Sequence, residues 1–459
     1  MLKKENKRKE VVLMTKAFLL VSFTLLTLIG CATTRTVEFS SLGATNPVQR
    51  QRVAAETEII LPDGEGLSFG DAVFSGWVRF VDGQVVQHNP GESYIVPAHD
   101  SYFMAHWKIE ARSLREVNGL VNQLIWLMNN AESNSSHIIE VQNDETIPNF
   151  PIFSYNNKEN IKITLRGTGA NRTIKQPTAD KGSVVFSIYN GISLVLENIT
   201  IDNSVKLGGV VWVQGGNLTM NSGSTITGTE AANGVRLDSG TFVMNSGATI
   251  TGIRGMIVTS NKGGSHRTYG NGVQLFGGTF TMNQGATISN CNESGVALGT
   301  TAAYQRSQTS TFIMNGGTIS GNGGNVTKEK DLLQQAFSGG GVSVNNGTFT
   351  MNGGSITNNG VAGNGGGVIV GTGGATLIVS RVTPPAVFTM TGGEITRNSA
   401  SGFGGGLFVS EGATFNMSGG SITNNNSQGG GFNNVAFFEN PQTGAKAIVN
   451  ITGGNIQSN

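Results

Sequence analysis

From about residue 205 to the end, the apolar positions of the chain return in one short phrase: an aromatic or aliphatic residue, any residue, then Met or Ile. The phrase stands at Leu218/Met220, Phe242/Met244, Phe280/Met282, Phe312/Met314, Phe349/Met351, Phe388/Met390, Phe415/Met417 and Val449/Ile451. Five or six residues after each Met, past a Gly-containing turn, one apolar Ile follows: Ile226, Ile250, Ile288, Ile319, Ile356, Ile395, Ile422 and Ile456. Three later copies are preceded by a glycine triplet and an apolar strand, at Gly339–Val344, Gly365–Val370 and Gly404–Val409. Short alternating runs predict strands, and self-similarity over tens of residues predicts a solenoid.

One copy, residues 339–359, reads as three short strands separated by tight turns. Val342 and Val344 point one way and Ser343 the other; Phe349 and Met351 point in and Thr350 out. A single coil of this kind buries too few side chains to hold itself together. Stacked coils pair their strands in parallel and build continuous columns of Phe, Met, Ile and Val. Glycine-rich corners supply the positive φ angles that turn the chain between faces. Copies lie 24 to 39 residues apart, which excludes collagen and coiled coil and suits a coil whose corners accept insertions. The expectation is an all-β, right-handed parallel β-helix over residues 161–459.

A second column supports it. Three residues after the recurring Ile stand Asn322, Asn359, Asn398, Asn425 and Asn459, with Thr229, Ile253 and Cys291 at that place in earlier copies. Stacked Asn side chains at equivalent turns can hydrogen-bond along the axis. The alternative is that Asn is simply common in turns.

Upstream, apolar residues at 114, 117, 120, 121, 124, 125 and 128 recur at three and four, predicting an amphipathic helix over 113–130. Ser113 and Glu116 form a capping-box pattern. Residues 110–160 are assigned to this helix and a cap over the first coil, whose strand edge needs cover. Less regular strands at Ile161–Leu165, Val184–Ile188 and Ile192–Ile201 build the first coils. At the far end three readings stay open: Phe432–Phe438 folds back over the last rung, another protomer stacks there, or the sequence is truncated.

Composition changes the picture mainly at the front. Net charge is +1 with 67 Gly among 459 residues, giving no electrostatic reason for a nucleic-acid partner. Residues 1–16 are rich in Lys and Arg, and Ala17–Ile29 is an apolar run too short to span a membrane comfortably. That order reads as a secretory signal over residues 1–30, with a more compact start at Met14. Leu28-Ile29-Gly30-Cys31 resembles the bacterial lipobox. The resemblance implies acylation of Cys31, which becomes the mature N-terminus, and Ala32 beside it implies export to the outer membrane. The expected partner there is the membrane itself, reached through lipid on Cys31, two acyl chains giving stable anchoring. Cys291 is then alone, with no internal disulfide available. It reads either as a reactive thiol or as a small residue filling a corner.

Residues 31–56 lack periodicity and read as a polar tether. Residues 57–109 carry Phe74-Ser-Gly-Trp77, Asp82-Gly83, Pro90-Gly91, Tyr94-Ile-Val96 and Ala105-His-Trp107. Their spacing resembles the Listeria–Bacteroides repeat of bacterial surface proteins. That resemblance implies a small β-grasp-like module, with Trp77 and Trp107 as core residues and a spacer or adhesive role.

Parallel β-helices include pectin lyases and polygalacturonases, so chemistry must be sought. Lyases need a base and often calcium-holding acids; hydrolases need paired carboxylates. From residue 201 the acids are Asp202, Glu230, Asp238, Glu293, Glu329, Asp331, Glu394, Glu411 and Glu439, and no two fall at matching coil positions with a Lys or Arg beside them. The five His are scattered without zinc spacing, and the glycine triplets lack both the Asp of calcium repeats and the Lys-Ser/Thr of phosphate loops. No catalytic residue, metal or cofactor is assigned, and Cys31 is the one named site, for lipidation.

Insertions at 254–271, 299–310, 323–338, 371–387 and 438–447 stretch the period and are the places where binding would be grafted, or where drift is tolerated. The Gly-Gly-aliphatic and Phe-x-x-Asn phrases, as at Phe242–Asn245, Phe280–Asn283, Phe312–Asn315 and Phe349–Asn352, resemble the repeats of chlamydial polymorphic outer-membrane proteins; Thr391 and Ser418 depart from them. That resemblance implies adhesion. Over the whole chain the layout is similar to β-helical surface lipoproteins of spirochaete type. The expected function is non-catalytic contact with a glycan or a host or envelope protein at the cell surface. A polysaccharide lyase or hydrolase, or a structural envelope protein, are the alternatives.

Overall fold

The computed structural model describes residues 34–177, 184–203, 209–255, 257–259, 265–267, 270–299, 309–323, 339–371, 386–429, 432–440 and 444–457. The signal segment, Cys31, Asn459, most of the insertions at 299–310, 323–338 and 371–387, and parts of those at 254–271 and 438–447 lie outside them. The chain divides into two compact units, residues up to Val81 with Val86–Trp107, and Asp82–Val85 with Lys108 onward.

The first unit is built on a five-stranded sheet. Its strands are β1 (Thr34–Ser40), β2 (Gln51–Ala54), β4 (Val73–Val81), β5 (Gln84–His88) and β7 (Ser101–Lys108), in the order β2-β1-β7-β4-β5; β3 (Glu58–Ile60) and β6 (Ser93–Ile95) pair separately. The stretch expected as a tether therefore carries two strands. β1 pairs in parallel with β7 and antiparallel with β2. Val37 and Phe39 are the reason: two apolar residues with one between them, both buried, too short a run to stand out in the sequence. Trp77 and Trp107 are buried core residues, as expected. Phe74 packs edge-on against both, and Trp77 Nε1 donates to the Pro62 carbonyl at 2.7 Å.

The second unit is all-β and solenoid-like apart from one α-helix. A 19-stranded, an 11-stranded and a 3-stranded sheet run along it. Within the described repeats the inter-coil pairings are parallel, and the register shifts lie between the first two coils, around Gln214; beyond them Phe312, Phe349, Phe388 and Phe415 are successive register partners, as are Met314, Met351, Met390 and Met417. Ile319, Ile356, Ile395, Ile422 and Ile456 align likewise in the second sheet. The phenylalanines stack face to face, with centroids 4.7 Å apart from Phe312 to Phe349 and again from Phe349 to Phe388. This is the spacing of the strands themselves. Each such buried ring contributes roughly 2–3 kcal/mol of hydrophobic stabilisation.

The asparagine column forms a buried ladder. Asn322 N–H and Nδ2 both donate to Asn359 Oδ1, at 3.0 and 2.9 Å. Asn359 repeats this toward Asn398, and Asn398 toward Asn425. Each Nδ2 also donates to the Ile carbonyl of the coil behind, as Asn359 does to Ile319 at 3.0 Å. Cys291 joins through its backbone N–H, which donates to Asn322 Oδ1 at 3.0 Å. The last rung among the described residues is Asn434, to which Asn425 donates; the loop shortens the spacing there, so the period pointed to Asn459 instead. The residue before each rung from Asn322 to Asn425, namely Gly321, Asn358, Arg397 and Asn424, has positive φ.

The glycine triplets follow from the ladder. A Cβ on Gly341, Gly367 or Gly406 would sit within about 3.1 Å of the ladder amides Asn359, Asn398 and Asn425 and 2.6 Å or less from the next coil's backbone carbonyl. The third glycine is thus required by close approach. Ser343, expected to point opposite to Val342 and Val344, is buried as well, and so are Ile369 and Phe408 at the equivalent positions; Ile369, Phe408 and Ala436 form a small apolar cluster of their own. Phe438 packs on that cluster, while Phe437 stays 45% exposed.

The helix is shorter than expected. Leu114–Glu116 is a single 3-10 turn, and α1 runs from Leu120 to Asn130 after Gly119, whose φ of 81° interrupts the pattern. Ser113 makes no side-chain cap; Glu116 Oε2 instead accepts from the Arg112 N–H at 2.9 Å. α1 buries Leu120, Leu124, Ile125, Leu127 and Met128 and lies against β8 (Ser136–Val141), which pairs in parallel with Ile161–Gly167.

Candidate functional site

Of the acids expected to be scattered, Asp238, Glu411 and Glu439 are engaged in separate places. Asp238 is buried and takes both guanidinium contacts of Arg236, at 2.8 and 3.1 Å. Arg236 in turn lies over the rings of Trp212 and Phe276, 4.4 and 4.7 Å from their centroids, a filled stack on the outside of the early coils. Glu439 pairs with Lys446 and Glu411 accepts from Asn440. Glu329 and Asp331 lie outside the described residues. Among the described residues no group of three or more His, Cys, Asp or Glu is placed to hold a metal.

Cys291 is a buried free thiol. Burial pushes its pKa up to about 12, and Sγ lies 3.6 Å from the Ser289 carbonyl. A thiol so held carries almost no thiolate at neutral pH and is not a nucleophile. It fills the ladder position, the corner reading.

The concave site lies where α1 begins beside β8 and β9 (Glu145–Thr146). Gly119 starts the helix without a side-chain cap, so the first amides of α1 face this region with the positive end of the helix dipole. Asn118, Gln123, Glu140, Gln142, Asn143 and Glu145 line a groove of about 180 Å³ together with Gly119, Leu120, Ile139 and Val141. Gln123 is fixed by donating Nε2 to the Val117 carbonyl at 2.9 Å. Asp144 Oδ1 accepts from the Thr173 N–H at 2.9 Å and pins the loop. Burial raises the Glu145 carboxyl above its ordinary value. The lining offers amide donors, amide acceptors and two carboxylates around a small space, a set that hydrogen-bonds vicinal hydroxyls. It is not legible in the sequence, because 118–123 and 139–145 meet only through the chain reversal after α1.

No family model, curated protein or solved structure matches the chain.

Proposed function

We propose that the protein is exported, anchored by lipid on Cys31, and non-catalytic, and that it binds carbohydrate at the cell surface. In this reading the solenoid is a right-handed parallel β-helix, α1 caps its first coil, and residues 57–109 are a β-grasp-like module of the Listeria–Bacteroides type. The observation that carries the binding role is the amide- and carboxylate-lined groove at the start of α1. The two acyl chains expected at Cys31 suffice for stable anchoring. A glycan, or a glycosylated host or envelope protein, is the partner.

The test is a glycan-array and polysaccharide-depolymerisation screen on protein beginning after Cys31, with Gln123→Ala and Glu145→Gln alongside. Binding without cleavage, weakened at least tenfold by Gln123→Ala, supports the reading; absence of binding sinks it. Incorporation of labelled palmitate that Cys31→Ser abolishes is the check on anchoring.

One observation favours a second reading, a polysaccharide hydrolase. Glu140 and Glu145 line one groove, and burial raises the second, the asymmetry expected of an acid and its partner carboxylate. New reducing ends, lost in Glu145→Gln, would replace the binding role with this one.

A further inference from the structure

The late coils leave three phenylalanine rings about half in water, and two of them, Phe403 and Phe432, stand together. Phe403 and Phe432 are 40% and 49% exposed, in a unit whose repeat phenylalanines Phe242 through Phe415 are fully buried. Their centroids lie 6.1 Å apart with an interplanar angle of 74°. Both rings stand on pinned backbone. The Phe403 N–H donates to Asn364 Oδ1 at 2.8 Å, its carbonyl accepts from Gly365 at 3.0 Å, and the Phe432 carbonyl accepts from Gly404 at 3.0 Å. Asn364, Phe403 and Phe432 thus occupy equivalent corners of three successive coils. They form a column parallel to the axis, one position per strand spacing of about 4.8 Å. Gly429 makes the close approach possible: a Cβ there would meet the Phe403 ring at 3.0 Å.

Beside the column run the exposed side chains of Ser401, Asn426 and Gln428. None of these flanking groups, nor Asn364, is charged. Two rings left about half in solvent stabilise the fold less than the buried repeat phenylalanines do, and exposed apolar patches mark contact sites. Uncharged aromatics flanked by amides and a hydroxyl suit a ligand with apolar C–H faces and many hydroxyls and no net charge.

We infer that this corner is a second carbohydrate contact, which takes a neutral polysaccharide chain running along the solenoid axis and stacking on Phe403 and Phe432; the inference rests on the carbohydrate-binding reading above. Pre-set rings cost little ordering entropy when the ligand arrives.

The experiment is affinity electrophoresis of the full chain, solubilised in detergent, through gels containing xylan, mixed-linkage β-glucan or polygalacturonate. Wild type is expected to be retarded by a neutral polymer, and Phe403→Ala with Phe432→Ala to reduce that retardation about tenfold or more. Phe403→Trp with Phe432→Trp keeps or strengthens it, and Asn426→Ala with Gln428→Ala weakens it without touching the rings. If the alanine pair lowers the melting temperature, the last two variants decide. Retardation that survives every corner substitution and falls only with Gln123→Ala overturns this inference and leaves the carbohydrate reading intact. Stronger retardation by polygalacturonate than by either neutral polymer overturns it as well. A wild-type chain retarded by none of the three overturns both.

Discussion

Two asparagine ladders climb the solenoid, and they differ in where they stand. The inner one, Asn322–Asn359–Asn398–Asn425–Asn434, is buried at a corner and supplies backbone partners as well as its own rungs. The outer one runs Asn221–Asn245–Asn283–Asn315–Asn352 and ends on Thr391, with Nδ2-to-Oδ1 distances of 2.8 to 3.1 Å. Its members are half-buried or exposed. The chemistry of each rung is the same. What differs is the alternative: an outer amide that loses its neighbour finds water, whereas an inner one finds nothing, so the inner ladder should dictate stability.

The largest effect should follow removal of an inner rung. Asn359→Ala leaves Asn322 N–H and Nδ2 without their acceptor and the Ile319 carbonyl without its donor. A loss of about 3 kcal/mol is expected from these buried orphans. Urea denaturation checks it, and a loss below about 1 kcal/mol would mean that the coil relaxes to admit water.

Cys291 gives the converse experiment. Cys291→Asn should continue the inner ladder by one rung, since Asn322 Oδ1 already accepts from this backbone and Gly272 provides the same clearance that Gly341 gives Asn359. The expected gain is about 1 kcal/mol, against a loss for Cys291→Ala. In wild type the thiol should resist maleimide until denaturant is added, because burial holds its pKa near about 12. Fast labelling of the native protein would show that this corner opens.

How far the ladders were legible follows from period. The Phe, Met and Ile columns repeat at nearly constant offsets from one another, and Asn322 through Asn425 each stand three residues after the Ile, so pattern alone placed them. Asn434 could not be found that way, because it reaches its neighbour across nine residues rather than a whole coil. The outer Asn were visible as Phe-x-x-Asn, yet an amide at the first position past a strand has too many other uses to be read as a ladder. Buried Ser343 and Ile369 were hidden because alternation assumes one wet face, and here the glycine corners fold over it: a Cβ on Gly365 would lie 2.9 Å from Ile369. The groove between residues 118–123 and 139–145 was hidden for a different reason, since it depends on Gly119 ending one turn and starting another.

A smaller effect is expected from the outer ladder. Asn283→Ala should cost about 0.5 kcal/mol or less, because both Asn245 and Asn315 can turn to solvent. A cost equal to that of Asn359→Ala would erase the distinction between the two columns.

The smallest effect concerns pH, and it separates the ladders by chemistry rather than size. The inner ladder holds no titratable side chain. The outer one starts on Glu197, whose Oε1 accepts from Asn221 at 3.1 Å and whose Oε2 accepts from Arg166 Nε at 2.8 Å. The Arg166 hydrogen bond, with help from Asn221, lowers the Glu197 carboxyl below its ordinary value of 4.5, against a desolvation effect in the other direction. A depressed folded-state value means that the carboxylate stabilises the fold fully above the unfolded value and ceases to do so as pH falls through the folded one. Stability should therefore drop slightly more in wild type than in Glu197→Gln between pH 6 and pH 3, both values chosen to bracket the carboxylate range. Asn359→Ala and wild type should show parallel pH dependence over the same span. If the Asn359→Ala difference itself varied with pH, protons would be reaching a ladder that the fold otherwise keeps dry.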